Sequence, residues 1–391
     1  MPNEIIGYLY IDKENGNIVS SFEYEEKWLS DHNISFDPEI EFYSGRQYSN
    51  NGLFGFLKDI SPDRWGRVLL DRNELNEAKK ENRKARKLDN TDYLLGVSDV
   101  LRSGAIRIAN ENNEYISNKE ITIPPLSSLR KLEDISYKFE NNKTQLDDET
   151  LKVLLNPGSS LGGARPKANV IDENNEYWIA KFPSKNDDYD VEAFEAVAFE
   201  LASMCNIDVP EYKLMKFSKR GSTLLTKRFD RKKGSRIHYS SAMNLLNKND
   251  DEDASYLDIA DTISKYSNYP KEDLKELFKR LVFNMCISNT DDHLRNHGFI
   301  LDDKYWRLSP IFDINPSIYG DSLSLSIDGY NKEISFENAL SVSSVFMLTK
   351  SEASEIINNI KNTVNNNWKK VAKKKEISNE EIKMLETAFI F

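Results

Sequence analysis

Cysteine and histidine are scarce in this sequence: two of one and four of the other among 391 residues. Cys205 and Cys286 both sit in apolar, helix-like patterns, so a disulfide scaffold is excluded and two buried thiols in a reducing compartment are expected. Only His32, His238, His293 and His297 stand beside them, which leaves little for a zinc centre. Long apolar runs are missing too. None approaches the roughly 18 residues of a transmembrane helix, and Met1-Pro2-Asn3-Glu4 has neither the basic region nor the apolar stretch of a secretion signal. No membrane contact and a cytoplasmic location are therefore expected. Positive charge is in deficit: 53 Lys and Arg against 64 Asp and Glu give a net charge of −11. A chain this acidic is not expected to bind nucleic acid through its general surface, and would meet DNA only through a basic partner.

What is present suffices for a folded protein. Hydrophobic residues are 39% and aromatics 11% of the chain, enough for a sizeable core. The length predicts two or three structural units. Residues 4–11 read as an opening strand, and residues 62–88 as a helix capped at Ser61 with Pro62 at its first position. The basic cluster Lys79, Lys80, Arg83, Lys84, Arg86, Lys87 reads as a solvated face, with a docking patch as the alternative. Pro124-Pro125 marks a junction, because two prolines interrupt any helix or central strand. A short helix at about 145–155 follows. Residues 159–229 then run loop, strand (168–172), strand (176–182), helix (190–205), strand (211–217), strand (222–228). Beyond residue 240 the pattern is mostly helical. Residues 271–288 carry Leu274, Leu277, Phe278, Leu281, Val282, Met285 and Cys286 as one apolar stripe, and a second amphipathic helix spans about 352–372. The expected units are 1–123, 124–229 and 230–391.

Four pieces of this chain point to chemistry. Ser159-Ser160-Leu161-Gly162-Gly163-Ala164-Arg165-Pro166-Lys167 has paired glycines whose turn could cradle phosphate oxygens, although alone it would equally suit a surface turn. Lys181 ends the apolar strand Trp178-Ile179-Ala180-Lys181-Phe182. A strand lysine neutralises nucleotide phosphates when an acid holds it, and Glu192 and Glu195 on the next helix are both candidates. The most specific piece is Asn289-Thr290-Asp291-Asp292-His293-Leu294-Arg295-Asn296. Asp291 and Asn296 have the D-x-x-x-x-N spacing that puts a proton-accepting carboxylate and a metal-holding amide on one short loop. Finally, Asp313 follows a β-like segment in Leu308-Ser309-Pro310-Ile311-Phe312-Asp313, where a carboxylate can hold the magnesium ion that bridges ATP phosphates. The four occur in the order of an ATP-dependent phosphotransferase. The fold class expected is α+β: a two-lobed, protein-kinase-like fold with a β-rich N-lobe, a helical C-lobe and an additional α/β N-terminal subdomain.

Residues 159–168, 289–299 and 308–313 resemble the HipA family of serine/threonine kinases. Asp59-Ile60-Ser61-Pro62-Asp63-Arg64-Trp65-Gly66-Arg67 and Ser98-Asp99-Val100-Leu101-Arg102-Ser103-Gly104-Ala105-Ile106-Arg107 are similar to the family's N-terminal subdomain. The resemblance covers about residues 5–330. It implies the toxin of a bacterial toxin–antitoxin pair, dependent on ATP and Mg2+. Such a toxin phosphorylates a protein substrate, with aminoacyl-tRNA synthetases as recurring targets, and is held by a HipB-like helix-turn-helix antitoxin that brings it to DNA. Carried over by position, Asp291 would be the catalytic Asp, Asn296 and Asp313 metal ligands, and Lys181 the phosphate-binding lysine. Gly162, Gly163, Ala164, Arg165 and Lys167 would form the nucleotide loop, and Lys227 and Phe229 would offer backbone groups to adenine. His293 would line the nucleotide site or brace the loop. Ser160, or else Ser159, matches the family's autophosphorylated loop serine. Two other functions compete: a kinase-fold nucleotide-binding regulator with little catalysis, and a small-molecule kinase.

Overall fold

The computed structural model describes residues 4–14, 17–32, 35–50, 52–116, 123–141, 148–158, 163–302 and 304–391. Ser159, Ser160 and Gly162 fall outside the described residues.

The chain opens with β1 (Gly7–Glu14) and β2 (Asn17–Tyr24), then α1 (Glu26–Asp31), β3 (Gln47–Tyr48), α2 (Gly55–Asp59), α3 (Arg64–Lys80) and α4 (Asn90–Gly96). The strands form an antiparallel sheet in the order β1-β2-β3. Phe22 and Tyr24 point from it into a core with Phe36, Phe54, Phe56, Leu57 and Leu94. Helix α3 departs from the expectation at both ends. Its cap is Asp63 rather than Ser61, and the Asp63 carboxylate accepts from the Arg64 amide. It stops at Lys80 because Asn82 takes a left-handed conformation (φ 51°), with Asn82 N bonded to Lys79 O and Arg83 N to Ala78 O. These two bonds make a Schellman stop. Lys79 and Lys80 therefore lie in the last turn of α3, and Arg83, Lys84, Arg86 and Lys87 lie past the helix end. Arg83 folds back onto the buried Glu74 at 2.5 Å, so part of that cluster is structural.

Next come α5 (Leu129–Asn141), α6 (Asp148–Gly158), β4 (Lys167–Ile171), β5 (Tyr177–Lys181), α7 (Val191–Met204), β6 (Tyr212–Met215) and β7 (Thr223–Lys227). The strand–strand–helix–strand–strand order is the one expected. The strands join as an antiparallel sheet in the order β4-β5-β7-β6. Val170, Trp178, Ala180 and Leu225 pack on α5 and α6, and Trp65 and Leu69 of α3 share that core. The α3 helix, from before the Pro124-Pro125 junction, is thus packed into the N-lobe.

The remainder contains β8 (Arg231–Lys232), β9 (Ser235–Arg236), β10 (Tyr239–Ser241), α8 (Ala242–Leu245), α9 (Tyr256–Tyr266), α10 (Pro270–Cys286), β11 (Gly298–Asp302), β12 (Tyr305–Leu308), α11 (Phe336–Ser341), α12 (Lys350–Lys374) and α13 (Asn379–Met384). The α10 stripe is fully buried and packs with α9 and α12 in the largest core. Helix α7 belongs to that core as well: Phe194, Val197, Ala198 and Leu201 meet the C-lobe. The helix carrying Glu192 and Glu195 is therefore fixed by apolar burial on the C-lobe side, and each such large side chain contributes roughly 1.5–3 kcal/mol. Both cysteines are buried and free. No helix among the described residues is long and apolar enough to cross a membrane.

Candidate active site

The site is built around Lys181. Its Nζ lies 2.6 and 2.8 Å from the two oxygens of Glu195 and 2.7 Å from Oδ1 of Asp313. The lysine comes from the end of β5, the glutamate from α7, and the aspartate from the segment after β12. The sequence left Glu192 and Glu195 open, and packing decides between them. Glu195 faces Lys181, whereas Glu192 Oε1 accepts from Arg165 Nη2 at 2.7 Å. Burial works against the Lys181 charge, but Asp313 and Glu195 outweigh it and hold the ammonium above the usual lysine range. Lys181 in turn keeps the Asp313 carboxyl well below the ordinary carboxylate range, against the effect of burial. Asp313 has a left-handed backbone (φ 56°), a conformation that costs a non-glycine residue about 1–2 kcal/mol. The turn aims its carboxylate back at the lysine.

Lys167 lies directly opposite Lys181 in the β4–β5 ladder. Its side chain is buried, and no carboxylate pairs with its ammonium among the described residues. Burial lowers its pKa, Asp313 opposes the shift and Lys181 adds to it. A buried ammonium without an ion-pair partner, beside another ammonium, is matched by an incoming polyanion.

The loop after α10 divides its two aspartates. Asp292 is buried. It accepts from the Tyr256 hydroxyl and lies 3.1 Å from Nε2 of His297, while Asn284 Nδ2 donates to Tyr256 at 3.0 Å. Burial would raise the Asp292 pKa, but the His297 ring and the Tyr256 hydroxyl hold it below the ordinary range. Asp291 is the opposite case: its side chain is 86% exposed, and His293 Nε2 stands 3.9 Å away. Water is crowded off one side of Asp291, which pushes its carboxyl up. His293 opposes that shift, and Asp313 and Asp292 add to it. Asn296 Nδ2 donates to the Asp291 carbonyl at 2.9 Å, which braces the loop and leaves Asn296 Oδ1 with no protein donor among the described residues. Gly298 lets β11 approach the Asp313 segment closely: an added Cβ would fall 2.7 Å from both Ser309 Oγ and Tyr239 Cε2, and those side chains would have to shift.

Residues 227–230, expected to form the hinge that meets adenine, are arranged differently from the simplest expectation. The Lys227 amide is already bonded to the Glu211 carbonyl at 2.8 Å, so only its carbonyl remains for a base. Its ammonium pairs with Glu176 and Glu211. The Phe229 ring faces Phe312 at 5.8 Å and Tyr239 at 5.9 Å, an aromatic wall next to Asp313. Arg165, expected in the nucleotide loop, is a structural clamp. It makes bidentate bonds to Asp187 at 2.6 and 2.7 Å as well as bonding Glu192. Ala164 sits beside it in the described part of the loop.

Sequence reasoning missed how the N-terminal subdomain reaches the site. Arg228 and Arg231 enclose the buried Asp230 at 2.7 and 2.9 Å, Gly104 N donates to Asp230 at 2.8 Å, and Arg228 Nη1 donates to the Leu101 carbonyl at 2.9 Å. The Ser98–Arg107 segment is thus fastened to the hinge. The sign available beforehand was the charge pattern Arg-Phe-Asp-Arg at 228–231, whose pairing is not readable from one sequence.

The donors present suit a hard divalent cation. Asn296 offers a free amide oxygen, and Asp313 has a carboxylate oxygen not engaged by Lys181. Among the described residues no cluster of three His, Cys, Asp or Glu could hold a metal by itself. The donor set therefore fits magnesium, which takes one or two protein oxygens and completes its shell with phosphate and water.

Comparison with known proteins agrees with this geometry. A protein of Haemophilus influenzae named as a candidate kinase is 27% identical over 203 residues, covering 44% of this chain and 59% of its own length. A second candidate kinase, from Sinorhizobium fredii, is 27% identical over 214 residues, covering 46% of this chain and 51% of its own. The chain thus spans between half and three-fifths of the curated relatives it matches. Among solved structures, the complex of the Shewanella oneidensis MR-1 toxin–antitoxin system HipA, HipB and its operator DNA matches with a TM-score of 0.66 at 15% identity. That match covers 98% of this chain and 92% of the other, and it shows the shared two-lobed fold. The family model of the HipA-like C-terminal domain matches residues 159–368, more than half of the sequence and the span that holds Lys181, Glu195, Asp291, Asn296 and Asp313, and the chain belongs to that family.

Proposed function

We propose that this protein is an ATP- and Mg2+-dependent serine/threonine protein kinase of the HipA type. One observation carries the reading: Lys181 lies within 2.8 Å of both Glu195 and Asp313, brought together from three separate elements. A strand lysine held by a helix glutamate is the arrangement that aligns nucleotide phosphates for transfer. Lys181 and Lys167 supply the positive field. Asp291, exposed and free of donors other than the distant His293, is open to an acceptor hydroxyl, which it would orient and from which it would take the proton. Asn296 and Asp313 would hold magnesium, which when bound neutralises charge on the phosphate oxygens. Asp292, locked by Tyr256 and His297, keeps the loop in shape.

The test is phosphate transfer from labelled Mg-ATP to serine or threonine of bacterial proteins. Asp291→Asn should abolish transfer and leave ATP binding nearly intact, since the amide keeps the volume but cannot accept the proton. Transfer within a few-fold of wild type would remove Asp291 from that role. Wild-type binding of ATP without any transfer would favour the nucleotide-binding regulator instead.

The same reading extends to partners. A protein substrate, with an aminoacyl-tRNA synthetase as the class to test first, and a HipB-like helix-turn-helix antitoxin that makes the contact with DNA fit a cytoplasmic toxin. Self-phosphorylation at Ser160, or else Ser159, would place about −1.5 to −2 charges beside the phosphate site and oppose ATP. Phosphosite mapping after incubation with Mg-ATP tests it, and phosphate on neither serine would refute it.

A further inference from the structure

The phosphate loop is held from outside the kinase lobes. Gly163 N donates to Asp63 Oδ2 at 2.8 Å, and Trp65 N donates to the Gly163 carbonyl at 3.0 Å. Both sides of this one residue are thus engaged by the first turn of α3, about a hundred positions earlier in the chain. The Trp65 indole adds a third bond, from Nε1 to the Lys167 carbonyl at 3.0 Å. Trp65 is 4% exposed and packed in the N-lobe core, so this anchor does not yield.

Gly163 needs such an anchor. Its φ is +77°, in the region where glycine moves most freely, so the chain by itself does not select the peptide orientation. Its position matters because it roofs the unpaired Lys167: a Cβ built on Gly163 would lie 2.6 Å from Lys167 Nζ. Where Gly163 is fixed, so is the wall of the space between Lys167 and Lys181 into which phosphates would enter. Asp63 stands at the positive end of the α3 dipole, and its charge acts on Lys167 nearby. A charge-assisted bond is stronger than a neutral one, which suits the contact that holds the amide side of a mobile residue type.

We propose that Asp63 is a positioning residue of the nucleotide site: through its bond to Gly163 the N-terminal subdomain sets the geometry of the phosphate loop and so the affinity for ATP. This rests on the nucleotide-site reading above. It does not place Asp63 in contact with ATP.

The experiment compares wild type, Asp63→Ala and Asp63→Asn as full-length chains. Two measurements are made: KM for Mg-ATP against kcat, and amide hydrogen exchange of the 163–167 segment without nucleotide. Losing a charge-assisted bond should raise KM for ATP by at least about tenfold in Asp63→Ala, with kcat changed by less than about threefold. Exchange at the segment should quicken by a similar factor. Asp63→Asn keeps an acceptor oxygen, though a neutral one, and should recover part of both effects. Asn also caps a helix, so the readout that a cap or stability defect would not give is quickened exchange confined to the 163–167 segment and not spread along α3. An unchanged KM in Asp63→Ala, or equal losses in both variants, would overturn the proposal. If the wild type bound no Mg-ATP at all, the nucleotide reading would fall. The exchange measurement would still judge the clip, because unchanged exchange in Asp63→Ala would remove the anchoring role.

Discussion

Replacing Lys181 by methionine keeps the stem of the side chain and deletes its charge. Two carboxylates, Glu195 and Asp313, then face the vacated position, with only the more distant Lys167 to offset the Glu195 charge. Removing one partner of a buried, hydrogen-bonded charge pair costs about 3–5 kcal/mol, because the remaining charge is left uncompensated. Lys181 is 10% exposed and Glu195 2%, so solvent screens little of this. The loss should depend on pH in a defined sense. In the wild type, the raised Lys181 pKa contributes stability that persists until pH rises past the ordinary lysine value. The depressed Asp313 pKa contributes stability that is lost only when pH falls below the ordinary aspartate value. Between about pH 5 and 9 these two contributions are therefore flat, while Glu195, which burial holds above the ordinary carboxylate range even beside Lys181, already costs some stability there. In Lys181→Met the buried Glu195 loses its ion-pair partner and keeps only Lys167 nearby, so its pKa, already raised by burial, rises further. A raised carboxyl destabilises the fold above its unfolded pKa of about 4.3, and the penalty shrinks as pH falls toward that value. Urea unfolding at pH 7.5 and pH 5 should show the deficit relative to wild type shrinking by at least about 1 kcal/mol at the lower pH. ATP binding should be lost at both. A deficit below about 1 kcal/mol at pH 7.5, or one that does not change with pH, would show that the three side chains do not form the coupled cluster described.

Further outcomes follow from neighbouring contacts. Glu195→Gln should cut phosphate transfer at least about tenfold by releasing Lys181, whereas Glu192→Gln should mainly lower the unfolding temperature, because Glu192 serves Arg165; equal kinetic losses in both would contradict this assignment. Asp230→Ala leaves Arg228 and Arg231 buried without their carboxylate and should destabilise by about 3–5 kcal/mol in urea. In the wild type, the Asp230 contribution should persist until pH falls below the ordinary aspartate value, since Arg228 and Arg231 overcome burial to depress its pKa. The isolated chain, with a net charge of −11, should bind operator DNA weakly or not at all in a gel shift; tight, salt-sensitive binding would refute the charge argument.

Much of this protein was legible from local pattern. The buried stripe of α10, the strand–strand–helix–strand–strand order and the strand lysine followed from periodicity, which depends only on which face of an element meets the core. The spacing of Asp291 and Asn296 put both on one short loop before any tertiary contact was known, and the structure joins them through the 2.9 Å bond to the Asp291 carbonyl. Local pattern failed where several good options compete nearby. The end of α3 was placed too late because helix propensity continues through the basic run, while a single left-handed Asn82 closes the helix.

Partnership between distant residues was decided only by the tertiary structure. Glu192 and Glu195 are equally plausible acids on one helix, and the rotation of α7 imposed by its apolar contacts with the C-lobe turns Glu195 toward Lys181. Asp291 and Asp292 are adjacent and chemically identical. One is exposed and the other locked to Tyr256 and His297, because the loop leaves α10 at a fixed angle. The grip of Asp63 on Gly163 and of Leu101 and Gly104 on the hinge spans a hundred residues or more. Periodicity and spacing report only on neighbours along the chain, so the residue types and their order were set by sequence, and which charge meets which was set by packing.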